Sequence, residues 1–261
     1  MTTPAADTAA PQGAPQGAPQ GAREGLAEGS ALSGAVVVTG GSSGLGAAVV
    51  AAVLKRGGTP VILDRQAPLD AAVAGVAFVE VDLADPSAAE AAVRRAGELA
   101  GPVTAVVTAA GTDACGTLDG VSFDDWTRVV TVNLIGTAAV VRAALPSLKE
   151  RHGRVVTVAS TLGLKAVSDA TAYCASKFGV VGFTRALAAE TAGQVGVTLL
   201  VPGGMSTHFF DGRPDQYKPG PDAKLNDPAN VAEAVLFALS QPAGCEVREL
   251  VVAAATEPSW P

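Results

Sequence analysis

The sequence lacks an excess of basic residues, and this absence limits the partners that the protein can have. Its 261 residues include 18 Lys and Arg against 25 Asp and Glu, which gives a formal net charge of −7. A nucleic-acid binder needs a basic surface that displaces the counterions of the phosphates. We therefore expect no nucleic-acid partner.

Cysteine and histidine are also scarce. Cys115, Cys174 and Cys245 lie far apart and form no CxxC pair, a spacing that fits neither a disulfide framework nor a zinc site. The two histidines, His152 and His208, have no metal-ligand partner at a useful spacing. We therefore predict no metal site and a reducing, cytoplasmic compartment.

Long apolar runs are missing as well. No uninterrupted apolar run reaches the roughly 18 residues that cross a bilayer, so we expect no membrane partner. A secretory signal would need a basic start and an apolar stretch, whereas the first basic residue here is Arg23. Aromatic residues make up only 4% of the chain, so the core must be built from Val, Leu and Ala.

The amino-terminal segment has the composition of a disordered chain. Residues 10–21 read APQG three times, and residues 1–33 show neither helical nor strand periodicity. Such an Ala-, Pro-, Gln- and Gly-rich leader buries too little apolar surface to offset the entropy lost on ordering. We predict that residues 1–33 are disordered and that residues 34–261 form a single domain.

From Ala35 onward, short β-branched runs alternate with Ala-rich segments. The strand-like runs are AVVVT (35–39), PVILD (60–64), VAFVE (76–80), VTAVVT (103–108), GRVVTVAS (153–160), GVTLLV (196–201) and RELVV (248–252). The helix-like segments lie near 45–57, 87–99, 124–149, 172–193 and 228–240, and two of them follow the helix-starting pairs Asp85-Pro86 and Asp227-Pro228. This pattern predicts a doubly wound, Rossmann-type α/β fold: a parallel sheet of about seven strands with helices on both faces.

A glycine-rich segment follows the first strand and opens the first helix. In that position glycines allow a tight turn and let the backbone approach a pyrophosphate, while the helix amino terminus offers free N–H groups. By spacing alone, an ordinary strand-to-helix turn fits the segment equally well. The residues of this segment that we assign to cofactor binding are Gly40, Ser42, Ser43, Gly44, Leu45 and Gly46.

Asp64 favours the dinucleotide interpretation and bears on the choice of cofactor. It ends the second strand, 18 residues beyond Gly46. An acid at this place accepts hydrogen bonds from the ribose hydroxyls and repels a 2′-phosphate, so NAD is favoured over NADP. Arg65 follows directly and could contact a 2′-phosphate, which leaves NADP as the alternative.

Tyr173 and Lys177 form a candidate catalytic pair. Because they are four residues apart in a helical segment, their side chains share one face. A neighbouring ammonium favours phenolate and is expected to lower the pKa of Tyr173, which could then act as a general acid or base on a carbonyl or alcohol. Ser160 lies at the carboxyl end of the fifth strand, where open α/β sheets place ligands, and could orient a substrate oxygen.

Together these motifs resemble the compact, single-domain branch of the short-chain dehydrogenase/reductase family. The resemblance covers roughly residues 34–254 and rests on five motifs in order. They are TGGSSGLG at 39–46, the Asn of TVNLIGT at 131–137, Ser160, YCASK at 173–177 and PGGMST at 202–207. The resemblance implies Asn133, Ser160, Tyr173 and Lys177 as the catalytic set. Tyr173 would be the acid/base, Lys177 would lower its pKa and hold the nicotinamide ribose, Ser160 would polarise the substrate oxygen, and Asn133 would support a proton path.

The resemblance also extends the cofactor site. Asp82 matches an acid that binds the adenine amino group. Thr207 matches the position that contacts the nicotinamide carboxamide, and Pro202-Gly203 matches the turn beneath the nicotinamide ring. The family's Asn-Ala-Gly segment is replaced here by Thr108-Ala109-Ala110-Gly111, in which Thr108 can still form local hydrogen bonds. The further cofactor-binding residues implied are Asp82, Leu83, Ala109, Ala110, Gly111, Tyr173, Lys177, Pro202, Gly203 and Thr207.

These observations predict an NAD(H)-dependent oxidoreductase that interconverts a secondary alcohol and a ketone. One alternative is an NADPH-dependent ketoreductase of a biosynthetic pathway, and another is a non-catalytic protein that senses dinucleotides. Gly and Pro residues in 206–226 predict a lid that orders over a small, neutral or apolar substrate. The resemblance further implies a homodimer or homotetramer formed through the segments 124–149 and 172–193.

Overall fold

The computed structural model describes residues 30–68 and 71–260. Most of the predicted disordered leader lies outside the described residues, but its last four residues do not. Ser30–Ser33 form a turn in which Ala31 and Leu32 are buried in the core. The Thr104 hydroxyl donates to the Ala31 carbonyl at 2.8 Å. The packed region therefore starts at least four residues earlier than the sequence predicted.

One sheet of seven parallel strands organises the chain. Its strands are β1 (Ala35–Thr39), β2 (Thr59–Asp64), β3 (Ala77–Glu80), β4 (Val103–Thr108), β5 (Arg154–Val158), β6 (Gly196–Pro202) and β7 (Glu249–Val252). Their order is β3-β2-β1-β4-β5-β6-β7, and every neighbouring pair is parallel. The predicted Rossmann-type sheet is thus confirmed.

Helices cover both faces of the sheet. They are α1 (Gly44–Lys55), α2 (Pro86–Ala100), α3 (Phe123–Val130), α4 (Thr137–Arg151), α5 (Thr171–Glu190) and α6 (Pro228–Leu239). A π-helical turn, Thr131–Gly136, joins α3 to α4 without a break, and 3-10 helices form at Thr161–Gly163, His208–Phe210 and Asp215–Tyr217.

The strands divide the core into two layers because successive side chains point to opposite faces. Val36 and Val38 of β1 pack with α1 and α6 on one face. Ala35 and Val37 of the same strand pack with α2 and α4 on the other. Since both faces are covered, the central strands are mostly apolar on both sides, as the sequence pattern indicated.

Two helices begin at Asp-Pro pairs, as predicted. The Asp85 carboxylate accepts hydrogen bonds from the backbone N–H groups of Ser87 and Ala88 at the start of α2. Asp227 accepts one from Ala229 at the start of α6. In contrast, α1 has no side-chain cap and no acidic residue in its first turn. Its amino-terminal N–H groups therefore stay free to meet an anion.

The helical segment Phe123–Arg151 is long and apolar enough, by length and composition, to cross a membrane. The segment is not an uninterrupted apolar run, because it contains charged residues such as Asp124, Arg128 and Arg142. Half of its most apolar window is buried inside the fold, and α4 packs against α2 and β4. These contacts are those of a core helix, and length and composition alone are weak evidence for a span.

The strand order reverses between β1 and β4, which lie side by side. Chain leaving β1 turns toward one side of the sheet and chain leaving β4 toward the other. In open α/β sheets this arrangement opens a crevice at the carboxyl ends of the strands, where ligands bind. The glycine-rich segment after β1 and the segment after β4 both border this crevice.

Candidate active site

The glycine-rich turn packs too tightly for side chains at two of its positions. Gly40 has φ +67°, a left-handed conformation that glycine adopts readily. Gly46 lies so close to Gly40 that a Cβ on it would be 2.0 Å from the Gly40 carbonyl oxygen. The turn therefore brings backbone, without side chains, to the amino terminus of α1, as a pyrophosphate-binding turn requires.

Not every residue of the turn presents its side chain to the crevice. Leu45 is buried in the core, and so is Leu83 after β3. From these two residues only backbone atoms are available to a ligand. Ser43, at the N-cap of α1, is exposed and its side chain forms no capping bond.

Asp64 lies beside this turn at the end of β2. Its carboxylate accepts hydrogen bonds from the backbone N–H groups of Ser42 at 3.1 Å and Gln66 at 3.3 Å. The Ser42 hydroxyl donates to the Gln66 carbonyl at 2.5 Å, which fixes the chain after β2 against the turn. Arg65 is exposed on the solvent side. The structure thus brings the acid, and not the neighbouring base, against the glycine-rich turn.

Asp82 ends the segment that follows β3. It accepts a hydrogen bond from the Ala84 N–H at 2.9 Å and forms an ion pair with Arg128 of α3 at 2.9 Å. The Ala84 hydrogen bond and the positive charges of Arg128 and Arg65 lower the pKa of Asp82 below its ordinary value, against the effect of burial. Asp82 is therefore ionised at neutral pH, and its carboxylate is held in place from two sides.

Ser160, Tyr173 and Lys177 converge at the carboxyl end of β5. Ser160 begins the short helix Thr161–Gly163 and accepts a hydrogen bond from the Leu162 N–H at 3.1 Å. Lys177 is buried on α5, and its Nζ donates to the Val158 carbonyl at 2.9 Å. The same Nζ lies 5.6 Å from the centre of the Tyr173 ring. The predicted triad is thus assembled on one side of the crevice.

The pKa of Tyr173 differs from the sequence-based expectation. Burial raises it to about 12, although hydrogen bonding by Ser160 acts in the opposite direction. Burial also lowers the pKa of Lys177 to about 8, against the attraction of Asp113. The Tyr173 pKa is therefore raised, and not lowered as the sequence predicted, because desolvation of the phenolate outweighs the hydrogen bond from Ser160.

Asn133 sits in the π-helical turn, which the sequence did not predict. Its amide forms a reciprocal pair with the backbone of Thr112: Oδ1 accepts from the N–H at 2.8 Å, and Nδ2 donates to the carbonyl at 2.9 Å. Nδ2 also donates to the Ser176 hydroxyl at 3.0 Å. These bonds connect the π-helical turn to the segment after β4 and to α5. Short π-helical turns are frequent at functional sites.

The segment after β4 lines the crevice with backbone. A Cβ on Gly111 would lie 3.8 Å from Lys177 Nζ, and the Ala110 N–H donates to the Thr39 hydroxyl at 3.2 Å. Thr108 was expected to form local hydrogen bonds. Its Oγ1 is instead buried with no partner among the described residues. Ala109 and Ala110 are half-buried beside the glycine-rich turn.

Beyond β6, a turn follows Pro202 and is held by an acid that the sequence did not single out. Glu257, near the carboxyl terminus, accepts a hydrogen bond from the Gly204 N–H at 2.8 Å. Burial opposes ionisation of Glu257, but hydrogen bonds from Ser259 and Gly204 hold its pKa below the ordinary value. The next segment brings Thr207 to the glycine-rich turn: a Cβ on Gly44 would lie 3.3 Å from Thr207 Cγ2.

A largely shielded ion pair borders the same site, and the sequence analysis did not identify it. Arg213, in the predicted lid, donates to the Asp113 carboxylate at 2.7 Å. Its guanidinium lies over the ring of Phe209, which in turn lies 5.8 Å from the Tyr173 ring. The two charged residues are one hundred positions apart. Pairing across such a separation leaves no signal in the local sequence.

Backbone hydrogen bonds hold the two ends of the predicted lid, residues 206–226, next to each other. Ser206 N–H donates to the Asn226 carbonyl, and Asn226 N–H donates to the Gly204 carbonyl, each at 2.9 Å. A cavity of about 570 Å³ lies within this lid, bounded by Thr207, Phe210 and Leu225 among others. Among the described residues, no cluster of three or more His, Cys, Asp or Glu side chains is arranged to hold a metal ion.

Comparison with known proteins assigns the chain to a protein family. The short chain dehydrogenase model matches residues 34–218. The chain is 34% identical over 245 residues to glycine betaine reductase ATRR of Emericella nidulans, a match that covers 87% of this chain and 19% of that longer protein. It is 31% identical over 229 residues to 2-(S)-hydroxypropyl-CoM dehydrogenase 3 of Xanthobacter autotrophicus, covering 80% of this chain and 90% of that one.

A solved structure supports the same assignment. A single-residue variant of actinorhodin polyketide ketoreductase, in complex with NADPH, superimposes with a TM-score of 0.76 and 30% identity. The match covers 86% of this chain and 97% of that one. The chain therefore belongs to the short-chain dehydrogenase family, and the protein is an oxidoreductase with a dinucleotide-binding fold.

Proposed function

We propose that the protein is an NAD(H)-dependent oxidoreductase that interconverts a secondary alcohol and a ketone. The observation that carries this proposal is the meeting of Ser160, Tyr173 and Lys177 with the segment after β4, across the crevice from the glycine-rich turn. A hydroxyl donor, a phenol and a buried amine on one side of a dinucleotide crevice suit proton transfer to or from a carbonyl oxygen.

The residues present fit a nicotinamide dinucleotide. The backbone of the Gly40–Gly46 turn and the uncapped start of α1 would hold the pyrophosphate. Asp64 would bind the adenosine ribose and Asp82 the adenine, while Pro202, Gly203 and Thr207 would border the nicotinamide. When bound, the dinucleotide supplies or accepts the hydride.

The protein's own residues would handle the proton and the oxygen. We assign Tyr173 Oη as the group that gives a proton to the ketone oxygen, or takes it from the alcohol. The raised pKa of Tyr173 keeps the phenol protonated at neutral pH, the form needed to donate. Ser160 Oγ would donate a hydrogen bond to the same oxygen and stabilise developing negative charge. Lys177 would hold the nicotinamide ribose, and Asn133 would support the proton path.

The position of Asp64 supports NAD as the preferred cofactor. Its carboxylate lies against the glycine-rich turn, where it would accept ribose hydroxyls and repel a 2′-phosphate. The second candidate is an NADPH-dependent ketoreductase. It is favoured by the exposed Arg65 and by the similarity to a polyketide ketoreductase solved with NADPH.

A substrate screen tests the proposal and separates the candidates. Purified protein is assayed on a panel of ketones with NADH or NADPH and of secondary alcohols with NAD or NADP, by nicotinamide absorbance. We expect turnover with a higher kcat/KM for NAD(H). A higher kcat/KM for NADP(H) would support the second candidate. Dinucleotide binding without turnover across the panel would contradict an enzyme and support a dinucleotide-sensing protein.

We also propose that the protein forms a homodimer or homotetramer through the α3–α4 segment and α5. These helices expose large apolar side chains: Phe123 is 77% exposed, Ile135 45% and Phe178 45%. Light scattering after gel filtration would report a dimer or larger, and a monomer would refute this assembly. All three cysteines are free thiols, which suits the reducing cytoplasm that we propose as the compartment.

A further inference from the structure

The Asp113–Arg213 ion pair is largely shielded from solvent on both sides. The Asp113 side chain is 6% exposed and that of Arg213 is 18% exposed, whereas in the Arg185–Glu249 pair the two side chains are 56% and 43% exposed. Asp113 accepts further hydrogen bonds from the Ala114 N–H at 2.8 Å and the Cys115 thiol at 3.2 Å. Burying two charges costs free energy, so a surface position for either would be less demanding.

The pair lies on the substrate side of the proposed active site. Asp113 follows Gly111 by two residues, and a Cβ on Gly111 would lie 3.8 Å from Lys177 Nζ. Arg213 packs its guanidinium over Phe209 at 5.0 Å and over Phe210 at 4.7 Å. Since Phe209 contacts the Tyr173 ring, the ion pair holds an apolar ring directly beside the proposed proton donor.

We propose that Asp113 and Arg213 determine the charge of the substrates that the site accepts. Paired, they present no net charge and hold Phe209 in place, so the site admits neutral ketones and alcohols and rejects substrates that carry a carboxylate near the reacting carbon. The inference rests on the proposed function, since it concerns the substrate class of that same site.

Arg213 alone would produce the opposite preference. Its Nε is buried with no hydrogen-bond partner among the described residues, and its Nη1 reaches the Tyr217 carbonyl only at 3.4 Å. The hydrogen-bonding capacity of the guanidinium is therefore not used up by the protein, and Nη2 would lose its carboxylate partner if Asp113 were neutral. What neutralises the guanidinium is the negative charge of Asp113, which also repels a second carboxylate. Removal of that charge converts the wall of the site into a carboxylate-binding surface.

Two single variants and their combination test this inference. Asp113→Asn leaves the arginine charge uncompensated, Arg213→Gln leaves the aspartate uncompensated, and the double variant has neither charge. The probes are benzoate and its neutral counterpart benzamide, titrated calorimetrically into the NADH-loaded protein. In parallel, kcat/KM is measured for a neutral ketone and for the matching keto acid.

The two single variants are expected to act in opposite directions. Relative to the neutral probe, Asp113→Asn should bind benzoate about tenfold or more tightly than wild type, because it gains a charge-assisted hydrogen bond. Arg213→Gln should bind benzoate more weakly than wild type. The double variant should return to within about threefold of the wild-type ratio, as expected for coupled partners. Glu249→Gln, which breaks the exposed Arg185–Glu249 pair, is the matched control and should leave the ratio unchanged.

A merely structural role for the pair would give a different result. Loss of packing alone would shift both single variants in the same direction for both probes. That outcome, or failure of Asp113→Asn to bind benzoate more tightly than wild type, would overturn the inference. Hydrogen exchange of the lid amides in each variant checks that the lid stays in place. Because benzoate binding needs no turnover, absence of activity in the wild type would count against the proposed function and leave this test intact.

Discussion

Gly46→Ala is the substitution whose effect the structure specifies most directly. The added Cβ would lie 2.0 Å from the Gly40 carbonyl oxygen, where an ordinary contact begins at 3.4 Å. The two must therefore separate by about 1.4 Å, and the opposing atom is backbone that no rotamer change can move. Gly40 is also held from the other side, since its N–H donates to the Leu63 carbonyl at 2.9 Å.

The expected loss of stability follows from this overlap. Overpacking of this kind costs about 1–3 kcal/mol, which in a domain of this size lowers Tm by roughly 2–12 °C. The displaced turn also moves its backbone N–H groups away from the positions that would bind the pyrophosphate. We therefore expect dinucleotide affinity to fall by about tenfold or more. Thermal unfolding with and without NADH measures both effects, because bound ligand raises Tm in proportion to the logarithm of its concentration over Kd.

A matched glycine provides the control. Gly97 lies within α2, and a Cβ there would first meet Val103 Cγ2 at an ordinary 4.0 Å. Gly97→Ala should leave dinucleotide binding unchanged and stabilise the fold by about 0.5–1 kcal/mol through helix propensity. If Gly46→Ala kept both the wild-type Tm and the wild-type NADH affinity, the glycine-rich turn could not be the pyrophosphate-binding turn that we propose.

Three further predictions concern individual side chains. Asp64→Ala removes the charge that repels a 2′-phosphate, so the ratio of kcat/KM for NADPH over NADH should rise by about tenfold or more, and an unchanged ratio would contradict the role of Asp64. The folded-state pKa of Lys177 is about 8, below its ordinary 10.5, so the unfolded chain binds more protons between these values and wild-type stability should gain from this group as pH rises through that window. Urea unfolding should show this gain in the wild type and not in Lys177→Met. If the free energy of unfolding changed with pH in the same way in both proteins, the lowered pKa of Lys177 would be refuted. Asn133→Ala loses three hydrogen bonds, to Thr112 and Ser176, and should cost about 2–4 kcal/mol in urea unfolding, whereas a loss below about 0.5 kcal/mol would show that the π-helical turn does not depend on them.

Features written in local sequence could be predicted. The strands are short β-branched runs, and the Asp85-Pro86 and Asp227-Pro228 pairs fix two helix starts because capping and the fixed φ of proline are local effects. The glycine-rich turn and the Tyr173–Lys177 spacing are local in the same sense. The sequence therefore predicted the sheet and the members of the proposed triad.

Features that depend on distant contacts could not be predicted. Glu257 reaches Gly204 across 53 residues, and Asp113 reaches Arg213 across one hundred. The π-helical turn at Asn133 depends on Thr112 and Ser176, which lie 21 and 43 residues away. The pKa of Tyr173 is a balance between burial and nearby charge, and the degree of burial is set by the whole fold.

The central claim is that Tyr173 moves the proton in an alcohol–ketone interconversion, and Tyr173→Phe tests it most directly. The substitution removes only the hydroxyl, so NADH binding measured by fluorescence titration should stay within about threefold of wild type. Turnover of the best substrate in the panel should fall by about 10²–10⁴, the contribution typical of a general acid or base. Wild-type turnover in Tyr173→Phe, with NADH still bound, would contradict the account.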